Sequence, residues 1–195
     1  MHKAKRCFWV FSAAVLVAIS LNSVAYGADF VLSMKSGTVF LWDRDQRIDG
    51  VERKFDEHSR KSFGLAWEIR NAKGVGMGME YLYFRNKFTP SSDGRTRSQI
   101  LTFNVKKYFS PGGPVHPYAG GGFGWGHAKY DDGVGNVDRD LNLVFQGMLG
   151  IEFRFADAFG FFTEARALAS GADGEEENEF DFSGTGVTAG INFIF

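Results

Sequence analysis

The chain ends on the stretch "GTGVTAGINFIF", residues 184–195, in which apolar residues alternate with small or polar ones. From Val187 onward every second residue is apolar: Val187, Ala189, Ile191, Phe193 and Phe195. A period of two predicts a β-strand with one apolar face. An apolar strand that finishes on an aromatic residue is a poor exposed edge for a water-soluble fold. The fold therefore depends on whether the rest of the chain repeats this pattern.

Seven further segments show the same alternation, and together with the last stretch they make eight predicted strands. They cover residues 29–42, 61–71, 74–85, 98–109, 116–129, 140–155 and 158–170. One face of each segment is apolar, and the other carries charged, amide or glycine residues. Such alternation is typical of antiparallel strands that face two different environments.

The composition and the N-terminus predict an all-β chain that leaves the cytosol. The 195 residues include 25 Gly and 21 Phe against 4 Pro, and the mean hydropathy is −0.18. Residues 1–27 combine a basic start at Lys3, Lys5 and Arg6 with an apolar run and small residues before Ala28. This arrangement predicts a cleaved signal peptide. A membrane anchor helix is the alternative, but the apolar run is short for a span.

Residues 28–195 then form a single domain without a disulfide, because the one cysteine of the chain is Cys7. Of the 22 basic side chains, 19 remain after Lys3, Lys5 and Arg6 are removed, against 23 acidic ones. This acidic balance gives no indication of a nucleic-acid partner. No motif in the sequence predicts a cofactor.

Alternation by itself fits both a soluble β-sandwich and a membrane barrel, in which the apolar face meets lipid. The connections between the predicted strands favour the barrel, because they alternate strictly in length. The long ones are residues 43–60, 86–97, 130–139 and 171–180, and the short ones are residues 72–73, 110–115 and 156–157. Short turns on one side and long polar loops on the other are typical of bacterial outer-membrane barrels.

Aromatic residues gather at both predicted strand ends. At the short-turn end they are Phe30, Phe109, Phe153, Phe155, Phe159, Phe161, Phe193 and Phe195, and at the loop end Phe40, Trp42, Phe63, Tyr83 and Trp125. Two aromatic belts are expected where a barrel crosses the two bilayer interfaces. We therefore predict an eight-stranded, antiparallel, closed transmembrane β-barrel, whose closure satisfies every backbone polar group in hydrocarbon.

The polar face of the predicted barrel carries charges of both signs. They are Lys35, Glu68, Arg70, Glu80, Lys106, Glu152, Arg154, Glu164 and Arg166. The interior of an eight-stranded barrel is narrow enough for side chains to fill, and an unpaired buried charge is costly. These residues therefore predict a salt-bridge plug, with a narrow gated ion path through exchanging salt bridges as the alternative.

Three stretches of the chain resemble the small outer-membrane β-barrel family of the OmpA-transmembrane-domain and opacity-protein type. They are "HPYAGGGFGWGHAKY" (116–130), "GMLGIEFRFADAFGFFTEARA" (147–167) and "TAGINFIF" (188–195). The resemblance implies an outer-membrane location with periplasmic termini, and surrounding lipid and lipopolysaccharide as partners. Longer members carry a peptidoglycan-binding domain after the barrel, and none is expected here.

The C-terminal stretch is similar to the signal that the barrel-assembly machinery reads in this family. The residues that carry the similarity are Thr188, Gly190, Phe193 and Phe195. The resemblance therefore implies the assembly machinery as a further partner, bound through the last strand.

Two other groups of residues suggest chemistry weakly. The acidic loop around Asp173, Glu175, Glu176 and Glu177 offers oxygen ligands for Ca²⁺ or Mg²⁺. Its spacing matches no defined calcium loop, so a solvated loop is the favoured interpretation and no metal site is predicted.

The second group lies around His127 and Lys129 near the predicted loop-end rim. Some eight-stranded barrels of this kind modify lipid A with a rim histidine and serine, but the run here is His127-Ala128-Lys129 and Ser170 is distant. We therefore expect His127 and Lys129 to contact lipid headgroups, and no enzymatic activity.

The predicted function is structural and surface-interactive. Membrane integrity and adhesion or host contact through the outer loops are expected, with the first loop (43–60) as the main contact candidate because exposed loops carry function disproportionately. A small channel is the first alternative, and a lipid A-modifying enzyme is the second.

Overall fold

The structure is a computed structural model that describes residues 28–42, 45–48, 51–54, 59–87, 95–110, 113–131, 137–171 and 181–195. Ten strands lie in these ranges. They are β1 (Asp29–Leu41), β2 (Asp45–Ile48), β3 (Val51–Lys54), β4 (Ser59–Arg70), β5 (Val75–Lys87), β6 (Arg95–Tyr108), β7 (Val115–Asp131), β8 (Val137–Ala156), β9 (Phe159–Gly171) and β10 (Gly184–Ile194). Among the described residues, no helix has the length and hydropathy needed to cross a membrane.

Eight of the strands close into an antiparallel barrel in the order β1-β10-β9-β8-β7-β6-β5-β4. The seam joins the first and last strands, where Lys35 lies opposite Gly190 and Thr38 opposite Val187. It is completed at the short-turn end by two backbone hydrogen bonds of 3.0 and 2.9 Å between Phe30 and Phe195. The predicted fold class is thus confirmed, and the C-terminal strand finds its partner edge on β1.

The faces of the strands follow the predicted alternation. The side chains at Met77, Phe123, Phe145 and Leu149 point outward and are between 50% and 65% exposed. The alternate positions point into a lumen that is densely filled. An outward apolar band of this kind is the surface that lipid covers in a transmembrane barrel.

The turn between β4 and β5 shows how the short connections are built. The side-chain oxygen Oδ1 of Asn71 accepts hydrogen bonds of 3.0 Å from the backbone N–H groups of Lys73 and Val75. Gly74 has a φ of 73°, a left-handed conformation that glycine adopts without strain. The polar residues thus fix a tight reversal at this end of the barrel.

Within the described residues, the structure departs from the expected loops most clearly in two places. Within the first predicted loop, β2 and β3 pair as a separate hairpin in which Ile48 lies opposite Val51. Both ends of the third predicted loop (130–139) are strand, because β7 continues to Asp131 and β8 begins at Val137, with these two residues paired. The charged residues that lie in these strands pair their backbone groups in strand ladders.

The aromatic belt at the short-turn end needs one correction. Phe155 and Phe195 are 71% and 60% exposed, as expected for an outward belt, but Phe30 is buried. Its ring lies 6.2 Å from that of Phe195, which is its antiparallel neighbour at the seam. Phe30 therefore packs at the seam and does not form part of the exposed belt.

Candidate functional site

The lumen nearest the short turns contains all nine charged residues that the alternation placed there. Glycines on neighbouring strands make room for them: Gly64 lies opposite Lys35, and Gly76 lies opposite both Arg70 and Lys106. A Cβ atom at Gly64 would lie 2.9 Å from Cγ of Lys35. The small residues of the polar face are therefore the space into which the long charged side chains fold.

Four of these side chains form a closed ring, which we call the inner quartet: Lys35, Glu80, Glu164 and Arg166. The Nζ atom of Lys35 lies 2.8 Å from Oε2 of Glu80 and 3.3 Å from Oε1 of Glu164. Nη1 of Arg166 lies 2.5 Å from Oε1 of Glu80, and Nη2 pairs with Glu164. Each cation thus contacts both carboxylates, and all four side chains are almost completely buried.

A second cluster lies between the quartet and the short turns. Arg70 donates a bidentate pair of hydrogen bonds, 2.9 and 3.0 Å long, to the two carboxylate oxygens of Glu152. Its Nε atom donates to Glu68 at 2.9 Å, and its guanidinium lies 3.6 Å from the ring centre of Tyr108. Bidentate charge-assisted pairs are the most directional ion pairs in proteins, so Arg70 is held on three sides.

Lys106 and Arg154 extend this cluster in opposite directions. Nζ of Lys106 lies 3.5 Å from Glu68 and 3.8 Å from Glu164, which joins the cluster to the inner quartet. Arg154 contacts Glu152 at 2.8 Å and Asp29 at 3.2 Å, which brings the network to the mouth of the barrel.

Asp29 was absent from the sequence-predicted set, and it changes the charge balance. The predicted residues comprise five cations and four anions, and Asp29 supplies the fifth anion. The alternation of the strand could have identified Asp29, because it lies six residues before Lys35 and therefore on the same face of β1. The ion-pair network of ten residues is therefore neutral, as burial of charge requires.

Uncharged side chains satisfy the remaining carboxylate and amide groups. Gln146 donates to Thr102 at 2.7 Å and to Asn104 at 2.6 Å, and Asn104 donates to Glu80 at 3.3 Å. On the other side, Asn192 donates to Glu152 at 2.6 Å. Tyr118 closes the set by donating to Glu164 at 2.9 Å. The network thus approaches the full satisfaction that a buried polar cluster needs.

The lumen towards the long loops has the opposite character, which corrects the expectation of a polar interior along the whole barrel. A buried apolar cluster fills it, consisting of Val39, Leu41, Leu82, Phe84, Ile100, Ala128, Val144, Leu168 and Phe182. Leu82 and Phe84 point into the lumen, as Glu80 does on the same strand. The sequence feature that would have indicated an apolar lumen here is that both faces of the strand are apolar beyond Glu80. Arg60, assigned to a loop from the sequence, is also buried here opposite Val39.

Phe182 caps this apolar cluster from the segment that leads into β10. Its backbone N–H donates to Oγ of Ser170 at 2.9 Å, and that hydroxyl donates to Asp181 at 2.5 Å. The ring packs over Gly126, where an added Cβ atom would lie 2.7 Å from the ring carbon Cε2. A glycine on β7 and a hydrogen-bonded hydroxyl on β9 therefore hold the aromatic ring in the lumen.

The remaining sequence candidates are separated in space. His127 occupies an outward position on β7, whereas Ser170 points into the lumen, so the two do not form a catalytic pair. Thr188 is buried in the lumen, and Phe195 is exposed at the end of β10. The candidates in the acidic loop lie outside the described residues: Asp173, Glu175, Glu176 and Glu177. Among the residues that the structure describes, no cluster of three or more metal-ligating side chains occurs.

Residues 11–195 match the family described as outer membrane protein beta-barrel domain. Because the match covers almost the whole chain, the protein belongs to this family, and its location is the cell outer membrane. No curated protein matches the sequence.

Several solved structures share the fold. Neisserial surface protein A has a TM-score of 0.62 at 17% identity, covering 87% of this chain and 99% of its own. OprG from Pseudomonas aeruginosa has a TM-score of 0.63 at 15% identity, covering 87% and 97%. Ail, the attachment invasion locus protein of Yersinia pestis, has a TM-score of 0.54 at 16% identity, covering 87% and 99%, and has also been solved with the heparin analogue sucrose octasulfate. At these identities the likeness concerns the fold.

Proposed function

We propose that this protein is a non-conducting outer-membrane barrel that contributes to membrane integrity and presents its long loops for contact at the cell surface. In this proposal the termini and the three short turns lie in the periplasm. Outer-membrane lipid and lipopolysaccharide surround the wall, and the assembly machinery reads the last strand through Thr188, Gly190, Phe193 and Phe195 before it closes onto β1.

The observation that carries the non-conducting role is the double filling of the lumen. An ion entering from the short-turn end would have to displace paired charges such as Glu152 and Glu164, which are at most 1% exposed. Beyond them it would meet Phe84 and Phe182, which are completely buried in apolar surroundings. The oxygen atoms of the ionic layer are already paired with cations and donors of the chain, and the apolar layer offers no oxygen ligands to replace the hydration shell of an ion.

His127 points outward from the barrel wall, whereas Ser170 points into the lumen. This separation supports a non-enzymatic role. Oγ of Ser170 already donates to Asp181 at 2.5 Å, inside the barrel. A lipid substrate reaches the outer wall, where no serine accompanies His127 at the nearest outward positions, Trp125 and Lys129. A mass shift of lipid A that depends on His127 would contradict this part of the proposal.

Surface contact is proposed for the first loop, which contains the β2–β3 hairpin. Ail has this fold and was solved with a heparin analogue, so sulfated glycans are the first ligands to test. Exposed loops on a rigid scaffold commonly carry recognition.

Two measurements test the function, one on the purified protein and one on bacteria that carry it. In planar bilayers we expect no steady conductance from the wild type, whereas a variant with Glu80→Ala, Arg166→Ala and Phe182→Ala opens both layers and is the conducting control. Replacement of residues 45–54 by a short Gly-Ser linker is expected to abolish binding of bacteria that carry the protein to cells or matrix. Reproducible wild-type conductance, or unchanged binding without the hairpin, would contradict the proposal.

A further inference from the structure

A cavity of about 500 Å³ opens at the short-turn mouth of the barrel. Backbone hydrogen bonds fix its walls: the N–H of Arg154 donates to the oxygen of Pro114 at 2.8 Å, and the N–H of Ile194 donates to that of Ala158 at 2.9 Å. A preformed concave space of this size is typical of small-molecule sites. The side chains of the lining that matter for binding are Asp29, His116, Arg154, Phe155, Asp157 and Ile194.

His116, in the wall of this cavity, has an unused ring nitrogen. The residue is 2% exposed, and its Nε2 atom has no hydrogen-bond partner among the described residues. The imidazole is hydrogen-bonded to the backbone of Ser110 on the preceding turn. Ser110 has a φ of 60°, a left-handed conformation that is uncommon for a residue other than glycine. Such strained residues often occur at binding sites, so the turn holds the imidazole at a local cost.

The neighbour of His116 across the strand pair cannot satisfy this nitrogen. Glu152 lies directly opposite on β8, and its carboxylate is already bound by two guanidinium groups and by the amide of Asn192. A buried polar atom without a partner is costly, because it has lost its hydrogen bonds to water. A ligand that donates to Nε2 of His116 therefore gains affinity from the chain as it stands.

The carboxylates around the cavity also have unused capacity. Asp157, which is exposed in the turn between β8 and β9, has no ion pair or side-chain hydrogen bond with any described residue. Asp29 uses only Oδ2, which contacts Arg154 at 3.2 Å. The undescribed residues of the three short turns are Pro111 and Gly112, which carry no charge. No side chain of these turns therefore neutralises Asp157.

The pattern of these groups indicates the chemistry of the ligand. The charge of Arg154 is matched within the network by Glu152 and Asp29, so Asp157 leaves the cavity with an excess negative charge. The acceptors lie on three separate elements, and among the described residues they form no cluster of the kind that holds a metal ion. An ammonium group has three donors and no acceptor, and two such groups on one stem can reach separate acceptors.

We propose that this cavity binds a linear aliphatic diamine, either as a free molecule or as two lysine side chains of a protein. One ammonium group binds Asp157, and the other donates to Nε2 of His116 and to Oδ1 of Asp29. The methylene stem lies against Phe155 and Ile194, as the stem of a lysine lies along apolar surface while its charged end stays in a polar environment. The site goes beyond the proposed function, because it requires neither conduction nor a surface loop.

The test uses protein extracted from outer membranes in neutral detergent, with histidines labelled for nitrogen NMR. Cadaverine, a linear diamine, is titrated onto the wild type and onto His116→Gln, Asp157→Asn and His127→Gln, with calorimetry as the second readout. His127→Gln is the matched control, because it makes the same change at an outward position of β7. We expect a saturable shift of the His116 signal in the wild type.

Half-saturation by cadaverine is expected to rise about tenfold or more in His116→Gln and in Asp157→Asn, the loss that corresponds to one hydrogen bond to a charged group. The control variant should bind like the wild type. Pentylamine has the same stem with one ammonium group, and its half-saturation should also be about tenfold higher. A dilysine peptide with blocked ends identifies the source: tighter binding than cadaverine assigns the site to a protein, and weaker binding assigns it to a free diamine.

Three results would overturn the inference: no saturable shift of the His116 signal, equal half-saturation in Asp157→Asn and His127→Gln, or equal binding of pentylamine and cadaverine. Heat-dependent gel mobility shows whether each variant is folded, and Asp157→Asn in its exposed turn decides the matter if His116→Gln does not fold. Binding in detergent depends neither on orientation in the cell nor on conductance, so its failure is separate from failure of the proposed function.

Discussion

The lumen of this barrel is filled by opposite chemistry at its two ends. Near the short turns, five cations and five anions neutralise each other's charge, in a network that reaches from Asp29 at the mouth to Glu80 in the inner quartet. Towards the long loops, nine apolar side chains pack together, Phe84 and Phe182 among them. Both ends are densely filled with buried side chains, but the ionic end depends on exact pairing and the apolar end on shape. The two regions should therefore respond differently to substitution.

The largest effect is expected where a single change breaks the pairing. Glu164→Gln leaves Lys35, Arg166 and Lys106 around a neutral side chain, and loss of one partner of a buried ion pair costs about 3–5 kcal/mol. We expect the unfolding free energy in lipid vesicles, measured by urea titration, to fall by that amount. Asp157→Asn, in an exposed turn, is the control with the same chemical change.

Adding Lys35→Met to Glu164→Gln sharpens this prediction, because it removes one surplus cation. The double variant is expected to recover part of the lost stability. If Glu164→Gln unfolds no more easily than Asp157→Asn, the charges of the lumen are solvated and the pairing of the ionic end has no energetic role.

An intermediate effect is expected where a change disturbs shape at the apolar end. Gly126→Ala places a Cβ atom 2.7 Å from the ring of Phe182, and overpacking of this kind costs about 1–3 kcal/mol. Gly147→Ala is the matched control on the adjacent strand, because nothing lies within 4 Å of the added methyl group. The measurement is again urea unfolding in vesicles.

The Gly126→Ala variant also separates packing from backbone effects. Combined with Phe182→Leu, which shortens the side chain, it is expected to lose less stability than Gly126→Ala alone. Equal losses for Gly126→Ala and Gly147→Ala would show that Phe182 is not seated in the lumen.

The smallest effect is expected at the mouth of the ionic end. Asp29 is 44% exposed and Arg154 is 24% exposed, so water and salt weaken their pair. Asp29→Asn is expected to lower the unfolding free energy by less than about 1 kcal/mol, and the difference should vanish at high salt. A loss as large as that of Glu164→Gln would mean that the mouth is as dry as the centre.

Most of the fold was predictable because alternation assigns each side chain to one of two faces whatever its partner. The eight strands, the sorting of short and long connections and the inward direction of all nine charged residues follow from this period. The β2–β3 hairpin was missed, although Asp49-Gly50 between Ile48 and Val51 is a strong hairpin signal. Dense charge in that stretch suggested a solvated loop, and backbone pairing outweighed it.

The apolar end was missed for a different reason. Both faces of β5 are apolar around Leu82 and Phe84, so the polar-against-apolar contrast that marks the lumen on the rest of the strand is lost there. The residues that settle it lie on other strands, such as Gly126, which leaves the space for Phe182.

The sequence by itself determined that this chain forms eight two-faced strands, because successive side chains of a strand must point to opposite sides. Only the tertiary structure decided which charges pair and where the lumen turns apolar. Arg70 and Glu152 are 82 residues apart in the chain, and they meet because closure of the barrel fixes the stagger between strands. That stagger is a property of the whole ring, so no single segment of the sequence contains it.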